Sequence, residues 1–190
     1  ISKKEAILRI DPNTLDTLLH PTLDKKINKN IIAKGLPASP GAAFGKVVFS
    51  ADEAERLNGM MQNTILVRVE TSPEDIHGMH AAKGILTARG GMTSHAAVVA
   101  RGMGRPCVSG STEIIIDYNL NQFKSGEIVV KEGDIITIDG TSGEVILGTV
   151  PTVQPKVSKY FLTIMNWANQ FRKLKIRTNA ETEKDSKVAR

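Results

Sequence analysis

The 190-residue sequence has little cysteine, few aromatic residues and no long apolar stretch. Its single cysteine, Cys107, excludes an internal disulfide framework and favours a reducing compartment such as the cytoplasm. A membrane-spanning helix needs about twenty consecutive apolar residues, and no run in the sequence approaches that length. We therefore expect a cytoplasmic location and no membrane partner.

The charge balance is mildly basic, with 25 Lys and Arg residues against 20 Asp and Glu residues. A basic surplus attracts nucleic acids or phosphate-bearing ligands. Here the basic residues lie mostly near the two ends of the chain, without the interleaved aromatic residues that single-strand binders use for stacking. We interpret them as solvated faces and expect no nucleic-acid partner.

Two segments rich in proline and glycine divide the chain into three parts. They are residues 35–41 (GLPASPG) and residues 150–155 (VPTVQP), and both are candidate hinges. We predict a helical tail of a preceding region in residues 1–34, a domain in residues 35–150, and a linker helix with the start of another domain in residues 151–190. The first residue is Ile1, and we expect the chain to be one piece of a larger protein.

Apolar residues in the middle of the chain alternate between strand and helix patterns, which predicts a partly parallel α/β sheet. The predicted strands are residues 46–49, 64–69, 84–88 and 106–109, and the predicted helices begin near Ser50, Ser72 and Thr93. We expect the third helix to end at Gly102. Later in the chain the pattern has a period of two, which predicts β-hairpins formed by residues 127–130, 134–139 and 144–147.

His95 is the residue whose surroundings point most clearly to chemistry. Two glycines allow a sharp turn after a strand, Thr93 is placed to cap the next helix, and His95 falls in the first turn. The positive end of that helix stabilises an anion and disfavours a positively charged ring. One ring nitrogen therefore stays free to attack phosphorus, and a phosphoryl group on the ring is stabilised.

From the residues alone, three interpretations of His95 remain open: a structural histidine, a metal ligand and a phosphoryl carrier. A second candidate metal site contains His77 and His80 close to Glu74 and Asp75, but no further ligand set completes it, so we expect exposed helix residues there. Cys107 lies on a short apolar strand, which favours packing over nucleophilic chemistry.

Residues 90–101, GGMTSHAAVVAR, resemble position for position the phosphohistidine signature of the phosphoenolpyruvate-utilising enzymes. That family includes pyruvate phosphate dikinase, phosphoenolpyruvate synthase and enzyme I of the sugar phosphotransferase system. The flanking residues 70–82 (ETSPEDIHGMHAA) and 102–110 (GMGRPCVSG), and residues 18–21 (LLHP), resemble the dikinases within it.

The resemblance implies an α/β fold, a swivelling β/β/α phosphohistidine domain with flanking helical segments. In that family the domain lies between an ATP-grasp domain and a (β/α)8 barrel of the same polypeptide, and the full enzyme is expected to be a homodimer. The histidine is phosphorylated from ATP as inorganic phosphate is consumed and AMP and pyrophosphate are released. It passes the group to pyruvate, forming phosphoenolpyruvate, and both steps are reversible. Mg²⁺ belongs to the other two domains.

The same resemblance assigns roles to individual residues. It makes His95 the tele-phosphohistidine, bonded to phosphorus through Nε2, and it matches Thr93 to a threonine that plant dikinases phosphorylate for regulation. Gly91 and Ser94 become candidate phosphoryl contacts. Residues 175–180 (KIRTNA) resemble the first barrel strand, in which Arg177 binds substrate phosphate or carboxylate. No metal ligand is expected in this segment of the enzyme.

Two rival interpretations remain. Phosphoenolpyruvate synthase or enzyme I would share the same domain and differ in its partners. A biotinyl or lipoyl carrier module is the second rival, because residues 130–136 (VKEGDII) and 143–145 (GEV) resemble its hairpins. Such modules carry a modified lysine at a tight turn, and residues 140–143 contain no lysine.

Overall fold

The computed structural model describes residues 1–11, 15, 19–23, 29–153 and 158–174. The chain divides into two compact units. We call Leu15–Lys156 the sheet unit, and the combination of Ile1–Thr14 with Val157–Arg190 the terminal unit. The unit that contains His95 is thus one continuous stretch of chain.

The described helices and strands follow in chain order. The helices are α1 (Lys3–Leu8), α2 (Ala51–Gly59), α3 (Ile76–Ala81), α4 (His95–Met103) and α5 (Lys159–Phe171), and a 3-10 turn, Pro73–Asp75, opens α3. The strands are β1 (Thr22–Leu23), β2 (Ile31–Lys34), β3 (Leu36–Ser39), β4 (Ala42–Val48), β5 (Thr64–Arg68), β6 (Gly84–Thr87), β7 (Cys107–Ser109), β8 (Ile114–Asp117), β9 (Gln122–Ser125), β10 (Ile128–Lys131), β11 (Ile135–Asp139), β12 (Glu144–Leu147) and β13 (Thr152–Val153).

The main sheet has eight strands in the order β2-β12-β11-β4-β5-β6-β7-β3. Its central strands, β4 to β7, are parallel, because a helix follows each of the first three and carries the chain back to the starting edge. The outer strands pair antiparallel. The prediction of a partly parallel α/β sheet is therefore confirmed.

Two apolar layers hold the sheet unit together. On one face of the main sheet, Val47, Ile65 and Leu86 pack beneath Phe123 and Val130 of a three-stranded sheet, β8-β9-β10. On the other face, a second cluster joins the main sheet to the helices; it contains Val48, Leu66, Ile85, Leu57, Met79, Ala96, Ala97 and Ala100. The successive layers are sheet, sheet and helices, which confirms the expected β/β/α arrangement.

The hairpins differ in part from the prediction. β11 pairs with β12 as expected, whereas β10 pairs with the preceding strand β9 and not with β11. The backbone between β10 and β11 explains the difference, because Gly133 N–H donates to Val47 O and Val47 N–H donates to Asp134 O. These bonds direct the chain onto β4, so β11 joins the main sheet.

Residues 35–41 are not a flexible hinge, and that prediction is wrong. β3 pairs with β7, and Gly35 N–H donates to Gly143 O at 2.9 Å. The sheet also begins before residue 35, since β2 pairs with β12. Of the other candidate hinge, Thr152–Val153 forms β13, which pairs with β1, while residues 154 and 155 lie outside the described residues.

The terminal unit contains α1 and α5, each capped by a serine at its start. Lys3 Nζ lies 5.6 Å from the ring centroid of Trp167, a cation–π contact. Part of the helical tail predicted in residues 1–34, and Arg177 with its strand, fall outside the described residues. In the described part of the chain, no helix is both long and apolar enough to cross a membrane.

Candidate functional site

His95 lies at the edge of the main sheet where the parallel strands β5 and β6 end. Parallel neighbours place their carboxyl ends at the same edge, which is where α/β proteins bind ligands. β5 is followed by a short segment that contains Thr71, and β6 is followed by a glycine-rich loop, residues 88–94. The loop ends at Ser94, and His95 is the first residue of α4.

In the loop before His95, only glycine fits at position 90, and the backbone of this residue lies close to Gly110. Gly90 has φ +109°, and a Cβ there would lie 2.9 Å from Ser94 Cβ and 3.1 Å from Ser109 Oγ. Gly110 has φ +65°, and a Cβ there would lie 2.4 Å from Gly90 O. The loop is therefore pressed against the end of β7. Gly91, in contrast, is exposed and has open space where a Cβ would be.

Ser94, not Thr93, caps α4. Ser94 Oγ accepts the N–H of Ala97 at 3.4 Å and lies 3.3 Å from Ser109 Oγ, which in turn accepts the hydroxyl of Thr87 at 3.1 Å. The expected cap is therefore wrong by one residue, because the Ser94 hydroxyl points into this buried chain of hydroxyls while Thr93 is exposed. The observed end of the helix also differs from the predicted one.

The helix ends at Gly104, two residues beyond the predicted Gly102. Gly104 has φ +63°, the left-handed conformation typical of a glycine that terminates a helix. The side chain of Arg101 folds back along this helix. Its Nε donates to Ala97 O at 3.1 Å, and its guanidinium also donates to Met92 O. Arg101 thus links the loop to the helix.

The ring of His95 is half-buried and is held on one side by Thr71. His95 Nδ1 lies 3.1 Å from Thr71 Oγ1. Among the described residues, no hydrogen-bond partner engages His95 Nε2, so this nitrogen is left for a substrate. Sequence reasoning missed Thr71, although its position directly after a strand parallel to β6 was a usable signal.

The first turn of α4 contains no acidic residue. In contrast, α2 carries Asp52 and Glu53 in its first turn, and these compensate the positive end of that helix. At α4 the positive end and the unpaired backbone N–H groups remain uncompensated by the helix itself. The start of α4 can therefore stabilise a phosphoryl group attached to the His95 ring.

The structure does not bring together the alternative sites that the sequence suggested, a metal site at His77 and His80 and a reactive thiol at Cys107. His77 Nε2 lies 3.0 Å from Asp52 Oδ1 in an exposed pair, and His80 is exposed. Across the described ranges, no group of three or more His, Cys, Asp or Glu residues is placed to hold a metal ion. Burial raises the pKa of the Cys107 thiol to about 12, despite the opposing charge of Arg101, so the thiol stays neutral and packs in the core.

Comparison with known proteins agrees with this geometry. Residues 60–143 match the family model of the mobile domain of PEP-utilising enzymes. The chain is 58% identical over 190 residues to the pyruvate, phosphate dikinase of Rhizobium meliloti (strain 1021), covering 100% of this chain and 21% of that protein. It is 54% identical over 188 residues to the Clostridium symbiosum dikinase, covering 98% and 22%, and 50% identical over 192 residues to the chloroplastic dikinase of Flaveria pringlei, covering 100% and 20%.

The chain thus spans about a fifth of the length of these relatives. Among solved structures, the solution structure of enzyme I (nEIt) is 24% identical and covers 57% of this chain and 36% of its own, with a TM-score of 0.33, which is too low to bear on the fold. The matched residues 60–143 contain His95, its loop and Thr71. Over these residues the chain is similar to the mobile domain of the PEP-utilising enzymes.

Proposed function

We propose that this chain is the phosphoryl carrier segment of a pyruvate, phosphate dikinase, and that His95 Nε2 is the atom that carries the phosphoryl group. The observation that carries the proposal is the environment of the His95 ring. Thr71 contacts Nδ1, and Nε2 has no hydrogen-bond partner among the described residues. The ring lies at the start of a helix whose first turn contains no acidic residue. The dikinase identities of 50% to 58% across the chain support the choice of enzyme.

The contact with Thr71 sets the condition for attack. It fits either tautomer of the ring, and nucleophilic attack through Nε2 requires that Nδ1–H donates to Thr71 Oγ1. The Nε2 lone pair then forms the bond to phosphorus while the bond from phosphorus to the leaving oxygen breaks. The N–H groups of His95 and Ala96, which have no acceptor within the helix, can stabilise the phosphoryl oxygens.

Two half-reactions complete the cycle. In the first, ATP and inorganic phosphate are converted to AMP and pyrophosphate, and one phosphoryl group remains on Nε2. In the second, the enolate oxygen of pyruvate attacks phosphorus, the Nε2–phosphorus bond breaks, and phosphoenolpyruvate leaves with a neutral imidazole behind it. Both half-reactions are reversible. The first breaks two phosphoanhydride bonds and forms the phosphoanhydride bond of pyrophosphate and the Nε2–phosphorus bond, and the second exchanges the Nε2–phosphorus bond for a bond to the enolate oxygen.

The neighbouring residues have separate roles in this proposal. Gly91 has open space where a Cβ would be, so a phosphoryl group can approach its backbone. Ser94 acts through its cap on Ala97, because its hydroxyl is already bonded there and to Ser109. Thr93 is exposed two residues before His95, so a phosphate on Thr93 would place repelling negative charge at the site.

The remaining parts of the proposal concern the larger protein. The chain spans about a fifth of its relatives, which leaves length for an ATP-grasp domain and a (β/α)8 barrel in the same polypeptide. We place Mg²⁺ and the binding of ATP and pyruvate in those domains, with Arg177 contributing to the barrel site. The sheet unit is the swivelling carrier, with wider limits than residues 35–150. A homodimer in the cytoplasm completes the proposal.

The test is to incubate the complete protein with radiolabelled phosphoenolpyruvate and to map the acid-labile label. We expect the label on His95 Nε2, together with one equivalent of pyruvate. His95→Ala should lose the label entirely, and the control His80→Ala, which changes an exposed histidine on α3, should keep it. A label retained by His95→Ala would contradict the proposal.

The products separate the dikinase from its rivals. A dikinase consumes inorganic phosphate and releases pyrophosphate, whereas the synthase releases phosphate with AMP, and enzyme I passes its phosphoryl group to a small carrier protein. Pyrophosphate formed from ATP only when phosphate is added identifies a dikinase. Release of AMP and phosphate without pyrophosphate identifies the synthase, and transfer of the label to a small carrier protein identifies enzyme I. The intact mass of protein made in cells tests the remaining rival, because a biotinyl or lipoyl adduct on lysine would identify a cofactor carrier.

A further inference from the structure

We infer that Tyr118 is a positioning residue for His95: with Asp75, it fixes the short segment that holds Thr71 against the ring. This inference rests on the proposed role of His95 Nε2 as the phosphoryl acceptor. Tyr118 lies in the turn between β8 and β9, in the second sheet layer, and it touches neither the ring nor the glycine-rich loop in the described contacts. Its effect would pass through Thr71.

The segment that carries Thr71 is held at both ends. On one side, Val69 N–H donates to the Tyr118 hydroxyl at 2.9 Å, and Val69 O accepts the N–H of Arg89 at 2.9 Å. On the other side, Ser72 N–H donates to Asp75 Oδ2 at 2.9 Å. Glu70 and Thr71 are the two residues between these attachments. The position of Thr71 Oγ1 is therefore set by its neighbours.

Arg68 links the two attachments into one network. One guanidinium nitrogen lies 3.4 Å from Asp75 Oδ1, and the guanidinium carbon lies 5.4 Å from the ring centroid of Tyr118. Another guanidinium nitrogen donates to Phe49 O at 3.0 Å. The rings of Phe49 and Tyr118 also meet edge to face, with centroids 6.4 Å apart. The Tyr118 ring is therefore fixed, and its hydroxyl is aimed at Val69.

The contact that this network maintains has little tolerance. The distance of 3.1 Å between Thr71 Oγ1 and His95 Nδ1 lies near the long end of the range for such hydrogen bonds, about 2.7–3.2 Å. A displacement of a few tenths of an ångström would weaken the bond. In the proposed mechanism Thr71 Oγ1 accepts the Nδ1 proton, so loss of this bond would remove the preference for that tautomer and leave fewer rings with a free Nε2.

Tyr118→Phe tests the inference with a minimal change, since it removes the hydroxyl and keeps the ring. The readout is the nitrogen NMR spectrum of the 190-residue chain labelled with ¹⁵N-histidine, which distinguishes a protonated from an unprotonated ring nitrogen. We expect His95 in the wild-type chain to carry its proton on Nδ1 alone, and Tyr118→Phe to give a mixture of the two tautomers.

Three further variants serve as controls for the NMR measurement. Thr71→Val removes the acceptor itself and should give at least as much mixing as Tyr118→Phe. Thr71→Ser keeps a hydroxyl and should restore the single tautomer. Tyr160→Phe makes the same substitution at an exposed tyrosine on α5 and should leave His95 unchanged. Unchanged backbone amide signals outside residues 67–73 and outside the immediate neighbours of Tyr118 and His95 would show that Tyr118→Phe is folded.

A rate measurement in the complete protein completes the test. Tyr118→Phe should slow phosphorylation of His95 by phosphoenolpyruvate about two- to tenfold, as expected when one hydrogen bond that positions the reacting group is lost. The KM for phosphoenolpyruvate should not change. A single Nδ1–H tautomer in Tyr118→Phe, or a wild-type ring protonated on Nε2, would overturn the inference. A label that survives His95→Ala would instead defeat the proposed function and leave the tautomer result intact.

Discussion

Two helix starts lie at the same edge of the main sheet, yet only one of them is suited to phosphoryl chemistry. The 3-10 turn that opens α3 follows β5 and begins after Ser72, while α4 follows β6 and begins after Ser94. Both serines are extended and both strands are parallel. The first start contains Asp75, whose Oδ2 accepts the Ser72 N–H, whereas the second contains His95 and no acid.

The difference shows that position in the fold does not by itself make a site. At Ser72 the chain supplies its own anion, and Asp75 is buried against Arg68. At Ser94 the helix end is left without a carboxylate, and a negative group from outside can take that place. The residues of the first helical turn therefore decide between a structural start and a functional one.

Removing the Asp75 carboxylate should have the largest effect on stability. Asp75→Ala leaves Arg68 without its partner and the Ser72 N–H without an acceptor, and we expect a loss of about 1–3 kcal/mol in the free energy of unfolding. Urea unfolding followed by circular dichroism measures it. Glu74→Ala, at an exposed acid in the same turn, is the control and should cost less than about 0.5 kcal/mol. Equal losses in the two variants would show that Asp75 has no special role.

Removing the serine cap at the second start should have a smaller effect. Ser94→Ala takes the acceptor from the Ala97 N–H, and the expected loss is about 1 kcal/mol. Thr93→Ala serves as the control because the Thr93 side chain is exposed, and it should leave the unfolding midpoint nearly unchanged. If Thr93→Ala were the more costly of the two, the cap would be at the residue that the sequence first indicated.

Adding a carboxylate to the first turn of α4, as Asp75 provides at the start of α3, should have the smallest effect. Val98 is exposed in the first turn of α4, and Val98→Glu adds a carboxylate near the end that we propose stabilises the phosphoryl group. A charge at a helix start is worth about 0.3–1 kcal/mol, so His95 phosphorylation should weaken about two- to fivefold at equilibrium. Val98→Gln is the uncharged control. The difference should shrink at high salt, and a difference independent of salt would argue against an electrostatic cause.

Local patterns in the sequence predicted six of the thirteen described strands within a residue or two: β5, β6, β7, β10, β11 and β12. Ser50 and Ser72 were correctly expected at helix starts, because a serine followed by acids is a strong start signal. The error at Thr93 has a structural cause. Thr93 and Ser94 are adjacent hydroxyl residues, and either could cap the helix by its type. Packing decides between them, and here Ser94 contacts Ser109.

Contacts between distant parts of the chain were not visible in these patterns. The pairing of β11 with β4, and of β2 with β12, joins segments about ninety or more residues apart, and periodicity carries no information about partners. The same limit applies to the site. His95 was identified from its own loop and signature, whereas Thr71 and Tyr118 come from other elements and required the fold to bring them near.

The pairing of β1 with β13 has a mechanical consequence. Thr22 lies opposite Val153, so the strands by which the backbone enters and leaves the sheet unit are hydrogen-bonded neighbours. Leu23 of β1 also packs with Ala42, Ile146 and Val150 of the sheet unit. A pulling force on the two ends of the unit is therefore borne first by this strand pair, before it reaches the strands that position His95.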